Sequence, residues 1–305
     1  MNIEERKLYP LKFIPEPFEG GRHLLSDLRA ADSVAAAGWL GGNTLSELME
    51  TYLERMSGPV GFEYYGTQFP VSVREFAVAG EYPLVVNPDD TVALERYDAF
   101  GRAALWYVAE AEENAVIYCG FKEQLSGGQL FERAVEGSLR EAMNAVKVVP
   151  GDALVIAPGT VHGASGHLKI IEIAEASDLF FLMDEDIAEA LDIINLEPSE
   201  PEIHHGGVLA DRPEFKVTER VLDAPLRYLS DEGRSFQLYL CLSGGAAAEC
   251  RGDGGEAVTV RFAPGEILLV PADVEAFDLI PQQQGARVLE IELPPRSEND
   301  SYING

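Results

Sequence analysis

Two stretches of this 305-residue chain repeat one pattern: Gly151 to Gly159 reads GDALVIAPG, and Gly265 to Asp273 reads GEILLVPAD. In each, a short apolar run rises from a glycine and an acidic residue and ends in a tight proline turn. An apolar run of that length, bounded by Gly and Pro, is a strand rather than a helix. Its recurrence in both halves predicts two units of the same β architecture. The first unit adds PLVVN, AALWYVA, NAVIYCGF and LKIIEIA; the second adds RSFQLYLCLSGG, AVTVRF and ARVLEIEL. Many short strands punctuated by Gly, Pro, Asn and Asp predict an all-β fold with helical decoration, each domain a sandwich or barrel. A chain that is 46% hydrophobic and 25% charged can bury two ordinary cores.

Helices interrupt this rhythm in three places. Asn43 or Thr44 caps a helix whose Leu45, Leu48, Met49, Tyr52, Leu53 and Met56 share one apolar face, and Gly58-Pro59 ends it. Residues 129–146 read as a helical insertion, and Asp186 to Ile194 as a short amphipathic helix. LEPSEPEIHHGG at 196–207 has no periodicity, two prolines and a glycine pair. The boundaries that follow are an N-terminal domain over 1–196, a linker over 197–207 and a C-terminal domain over 208–305.

A formal net charge of −29 repels phosphate backbones and anionic lipids, which argues against nucleic acid and membrane as partners. No apolar run approaches the roughly 20 residues a membrane helix needs, so a cytoplasmic protein is expected. The three cysteines, Cys119, Cys241 and Cys250, have no C-x-x-C spacing. They read as free thiols, although Cys241 and Cys250 flank a Gly-Gly turn that would let them face each other across a hairpin. The neighbouring His204 and His205 lie on extended chain and point to opposite sides, which is a poor geometry for joint chelation.

Phe69 to Pro88, FPVSVREFAVAGEYPLVVNP, followed by Asp89-Asp90, resembles the core of the type I mannose-6-phosphate isomerase family. YPLKF at 9–13, GGRHL at 20–24, SVAAAGWLGGNTLSELME at 33–50, ALWYVAEAEENAVIYCGF at 104–121 and VPGDALVIAPGTVHGASGHLKIIEIAEASDLFF at 149–181 extend the resemblance in order and spacing. The chain departs from the pattern where Glu19 replaces a tryptophan and where a Gly-Glu-x-Trp-Glu stretch is missing before residue 33. The resemblance implies two cupin (jelly-roll) domains, the first descended from a catalytic one. It also implies a zinc-dependent aldose–ketose isomerisation.

In that family the zinc ligands are a Gln and a His two residues apart on one strand, a Glu two residues before a Trp-Tyr pair, and the His of an APGTVHG turn. The matching positions here are Val85, Asn87, Ala104 and His162. One histidine and a neutral amide are too few for a catalytic zinc, which takes three protein ligands. No cofactor is therefore expected, and the second unit has no histidine at the matching turn. His167 reaches the same cavity only if residues 163–166 fold into a hairpin. The arginine that follows the Ser-Asp segment in the family is also missing after Ser177-Asp178.

Five residues remain as pocket candidates: Arg74, Asn87, Trp106, His162 and Glu172. Arg74 stands where the family has a lysine, a planar fork in place of a point charge. It either recognises an anion or pairs with a carboxylate such as Glu75 or Glu81. His162 and Glu172 are placed to form a polar pair inside the barrel. The expectation is an isomerase-like bicupin that is noncatalytic and binds a sugar phosphate or related small anion, alone or beside a protein partner or paralogue. An active mannose-6-phosphate isomerase is one alternative, and a structural or interaction protein with a filled cavity is the other.

Overall fold

The computed structural model describes residues 6–229 and 235–295. Contacts divide the chain into two units that do not follow sequence order. One holds the segments Pro17–Arg22 and Val73–His205; the other holds His23–Ser72, the segment ending at Glu16 and the described residues from Gly206 on. The sequence boundaries at 196 and 208 place the early segments differently. The reason is pairing: Leu11–Ile14 sits beside Ile267–Val270 with Leu11 opposite Leu269, and its other end pairs with Val34–Ala35. A strand from the N-terminus thus completes the sheet of the C-terminal sandwich.

In the unit built on Val73–His205, the apolar alternation of Ala104–Ala111 sends Ala104, Trp106 and Val108 to one interior cluster, joined by Phe76, Val78, Leu154, Ile156, Ile170 and Ala174. The sheet path runs Ile203–His205, Asp152–Ile156, Ala104–Ala111, His162–Glu175, Val71–Val86. His162–Glu175 serves two neighbours. Its first part pairs with Val116–Phe121, placing His162 opposite Cys119, and its second with Ala104–Ala111, placing Glu172 opposite Trp106. One long strand shared by two walls curls the sheet around its core. A second cluster, including Val86, Phe121, Leu130, Met183 and Ile187, packs the helical segments of this unit.

Several expectations change here. Residues 129–146 are not one helix: the helix is Gly127–Glu136, capped by Ser126 with Gln129 in a reciprocal box and stopped by Gly137 at φ 71°. A single 3-10 turn, Leu139–Ala142, follows, and Met143–Lys147 is a strand on Val116–Phe121. The stretch 197–207 is not wholly irregular, because Ile203–His205 pairs with Asp152–Leu154. The third segment, Asp186 to Ile194, keeps only Ile187–Ala190 as helix.

The other unit faces a seven-stranded sheet with a four-stranded one. Lys216–Leu222, Ala286–Glu292, Gln237–Ser243 and Ile267–Val270 are consecutive neighbours in the first; Leu226–Leu229, Ala276–Pro281, Ala246–Arg251 and Ala257–Phe262 make the second. Tyr239, Leu268, Val288, Phe277 and Leu279 fill its interior. Of the two cap candidates, Asn43 and Thr44, Thr44 caps Leu45–Tyr52, through a full capping box with Glu47. Pro59 does not end the helical region but opens a further helix, Pro59–Tyr65, at its first turn, where a missing N–H costs nothing. All three cysteines are free and buried; Cys241 pairs across to Val288 and Cys250 to Val258 and Phe277, so the two do not face each other.

Candidate functional site: a buried carboxylate held by two arginines

Glu172 lies mid-strand with its side chain turned into the barrel, 2% exposed. Arg74 reaches it from the neighbouring strand Val71–Val86 as a two-pronged fork, Nε to Oε1 at 2.8 Å and Nη2 to Oε2 at 3.2 Å. Arg102, on the approach to Ala104–Ala111, donates to Oε1 at 2.5 Å. Trp106 donates its indole N–H to Oε2 at 2.8 Å. Four N–H groups thus converge on one carboxylate, as a buried anion requires. Burial works to raise its pKa, but Arg74 and Arg102 hold it well below the usual carboxylate range.

Arg102 was not singled out by its sequence. It is 7% exposed and also donates to the carbonyls of Glu175 and Ser177. The flanking Gly101, whose N–H bonds Asp90, sits where a Cβ would strike the Asp89–Asp90 backbone at 2.6 Å. No local motif marks it, because its partners come from a strand and turn about 70 residues away.

Arg74 settles between its expected partners and takes neither. Glu75 instead pairs with Arg22 and Lys169, and Glu81 with Arg140. Alternation explains this: Arg74 and Phe76 point inward while Glu75 points out. The Arg74 guanidinium lies 5.2 Å over the Phe76 ring, with its side chain 28% exposed. Burial opposes its charge, yet Glu172 raises its pKa above the ordinary arginine value. Phe76, Tyr82 and Trp106 form an aromatic wall, Phe76 stacked on Tyr82 at 5.0 Å and edge-on to Trp106 at 5.7 Å.

His162 is 2% exposed and packs edge-on against Trp106 at 5.2 Å between centroids. Its Nδ1 lies 2.9 Å from the Thr160 carbonyl, which fixes the proton on Nδ1 and leaves Nε2 as the acceptor. Burial pushes its pKa down to about 4, so the ring is neutral at physiological pH. The direct pair expected between His162 and Glu172 is replaced by separate partners, with Trp106 touching both. His167 is exposed and His162 buried. Val85, Asn87 and Ala104 are 5%, 3% and 0% exposed. The Asn87 carbonyl accepts from the Gly159 N–H at 2.8 Å, tying the strand end to the proline turn. The wall near Val85 is tight: a Cβ on Gly163 would meet the Pro83 carbonyl at 2.9 Å. The exposed His205 lies 3.2 Å from the buried Asp152, and His204 is 4.0 Å from Glu202.

Comparison with known proteins places this architecture. Over 164 residues the chain is 29% identical to the mannose-6-phosphate isomerase ManA of Bacillus subtilis (strain 168), and over 166 residues 28% identical to YvyI of the same organism. Its homologues are mannose-6-phosphate isomerases. The matched stretch covers 52% and 54% of this chain, and the chain spans about half the length of the curated relatives it matches. No family model matches. Among solved structures, the mannose 6-phosphate isomerase from Bacillus subtilis superposes with a TM-score of 0.77 at 19% identity, covering 93% of this chain and 100% of that one. A mutant phosphomannose isomerase from Salmonella typhimurium gives 0.76 at 12% identity, covering 94% and 100%. The cupin fold of the mannose-6-phosphate isomerases is therefore this chain's fold, mostly β with helical decoration. No helix among the described residues is long and apolar enough to cross a membrane.

Proposed function

We propose that this chain is a mannose-6-phosphate isomerase-like cupin protein that does not isomerise sugars and holds no zinc. One observation carries the reading: the buried Glu172 carboxylate, which shares Trp106 with His162, has its lone pairs filled by two guanidiniums and an indole. A zinc ion needs three donors free to turn toward it. Val85 and Ala104 carry none, and among the described residues no group of three His, Cys, Asp or Glu is placed to hold a metal. The residues present do not fit zinc. Aldose–ketose isomerisation also needs a base poised near the operating pH. A carboxylate locked in two ion pairs is too weak a base, and a neutral, deeply buried His162 with a pKa of about 4 is weaker than an ordinary imidazole.

The partial exposure of Arg74 favours a second reading of the same barrel, as a binding site for a small anionic sugar. Arg74 spends two of its five donors on Glu172, and a phosphate would take the outward ones. Coupled assay of mannose 6-phosphate to fructose 6-phosphate conversion, with metal analysis of the purified protein, tests the first reading. Turnover near ~10 per second, or about one zinc per chain, would overturn it.

A further inference from the structure

The arrangement around Glu172 recurs in the other unit. Glu290, 2% exposed on Ala286–Glu292, takes a fork from Arg220 on one neighbouring strand, Nε to Oε1 at 2.7 Å and Nη2 to Oε1 at 2.5 Å. From the other neighbouring strand Tyr239 donates to Oε2 at 3.2 Å, in the place Trp106 takes in the first barrel. Tyr228, from the facing sheet, donates to the same oxygen. Arginine, glutamate and an aromatic donor on three adjacent strands are thus present in both barrels.

The second barrel differs in what lies above the cluster. Two residues beyond Glu290 and Tyr239 on their strands, Glu292 and Gln237 are hydrogen-bonded neighbours, and Lys216 lies opposite Glu292 on the third strand. Gln237 donates to Glu292 at 2.8 Å, and the Lys216 ammonium is 3.6 Å from it. Opposite this row, Tyr228 and Phe277 are cross-strand partners whose rings stack at 4.9 Å with an interplanar angle of 2°. Between row and rings is a cavity of about 480 Å³ lined by all five residues. That volume lies in the range of small-molecule sites, roughly 300–1,000 Å³.

We propose that this cavity binds an uncharged sugar ring of hexose size. A hydroxyl both donates and accepts, so a set of neighbouring hydroxyls is matched by alternating groups: an ammonium that only donates, a carboxylate that only accepts, and an amide that does both. The opposite, C–H face of a sugar ring is apolar and packs against aromatic rings, and Tyr228 and Phe277 both line the cavity. Charge excludes the phosphorylated sugar. Among the described lining residues, Asp211, Glu275 and Glu292 stand against one cation, Lys216, and no arginine, on a chain already at −29. An ester dianion entering there meets repulsion from these carboxylates, whereas a neutral hexose does not. The two barrels therefore separate by ligand charge, with Arg220 spent on Glu290 below the cavity.

Titration calorimetry with glucose, mannose, fructose and mannose 6-phosphate tests this on the full chain carrying Arg74→Ala, which removes the anion-binding fork proposed for the first barrel, and the cavity variants are made in that same background. At least one uncharged hexose should saturate with a Kd on the order of 1 mM, and the phosphate ester of mannose should bind about tenfold or more weaker than mannose itself. Gln237→Ala and Lys216→Ala, both at the cavity rim, should each weaken the hexose by about tenfold, the loss of one or two hydrogen bonds. Thermal melts of both variants show that the fold is kept; if one fails to fold, the other carries the comparison. The proposal fails if none of the three hexoses binds. It also fails if mannose 6-phosphate binds as tightly as mannose, or if a folded cavity variant binds the hexose as the Arg74→Ala chain does.

Discussion

Replacing Glu172 with glutamine removes one negative charge and leaves two arginines facing a neutral amide. Arg74 is partly exposed and can turn its fork to water. Arg102, 7% exposed and walled by the carbonyls it bonds, cannot. Stranding a buried charge by deleting its partner costs about 3–5 kcal/mol. Glutamine keeps one acceptor, which puts the expected loss at the lower end, about 3 kcal/mol. For a chain of this size that is a fall of roughly 6–12 °C in melting temperature at pH 7.

The pH dependence follows from the sign of the shift. The folded carboxyl titrates below its ordinary value of 4.5. Its contribution is therefore complete above that pH and declines as pH falls toward the folded value. The gap between wild type and variant should be widest at neutral pH and narrow below about pH 4.5. Adding Arg102→Met to Glu172→Gln removes the stranded charge and should recover about 1 kcal/mol or more. Thermal melts of the single and double variants at pH 7 and pH 4 measure all of this. A single variant melting within about 2 °C of wild type, or a double variant that is simply worse by the sum of both changes, would show that the Arg–Glu–Arg cluster is not the anchor of this barrel.

The other outcomes concern chemistry and ligands. Val85→Gln, Asn87→His and Ala104→Glu together should raise zinc affinity sharply, read by competition with a metal-binding dye, because His162 keeps Nε2 free of a proton; no gain would show that these positions do not converge. Mannose 6-phosphate should raise the melting temperature with the logarithm of its concentration above Kd, less so at high salt, and Arg74→Ala should abolish the shift; an unchanged shift would assign the anion to another surface. Glu290→Gln should destabilise less at pH 7 than Glu172→Gln. Burial raises the Glu290 pKa against a single, partly exposed Arg220, so that carboxyl favours the folded state most below pH 4.5 and loses the advantage as pH rises through its folded value. Melts of the two variants side by side decide it, and an equal or larger loss for Glu290→Gln would refute the contrast.

How much of this was legible in the sequence depends on how local the cause is. Short apolar runs bounded by Gly and Pro placed the strands, and Asn43 or Thr44 before the apolar face marked a helix start, which the structure puts at Thr44; whether Arg74 meets an anion or a carboxylate stayed open until Glu172 came beside it. The capping box of Ser126 with Gln129 was equally readable and would have moved the insertion helix to Gly127. Its early end at Gly137 and the strand at Met143–Lys147 were not, since Ala, Asn and Val read as helix or strand alike until Val116–Phe121 offers an open edge. The pairing of Leu11 with Leu269 is a tertiary fact, invisible to any window along the chain. Arg102 was missed for the same reason. A single arginine after a glycine looks like a surface charge, and only the return of His162–Glu175 beside Ala104–Ala111 brings Glu172 to it.

The same cluster bears on why the barrel tolerates Val85 and Ala104. Side chains from Val71–Val86, from Ala104–Ala111 and from the turn before it all end on the Glu172 carboxylate. A carboxylate with two guanidiniums joins these elements through direct hydrogen bonds, and each donor is also packed: Arg74 over Phe76, Trp106 between Phe76 and His162. A polar group buried this deeply persists only when every lone pair is met, and here the protein meets them from within. Any ligand competing for Glu172 must first strand Arg102, at the cost estimated for the glutamine variant. Apolar residues at 85 and 104 then add burial without leaving an unsatisfied donor or acceptor. The interior of the first barrel is stable as it stands because its charges are already spent on each other, whereas the row of Lys216, Glu292 and Gln237 in the second opens onto a cavity.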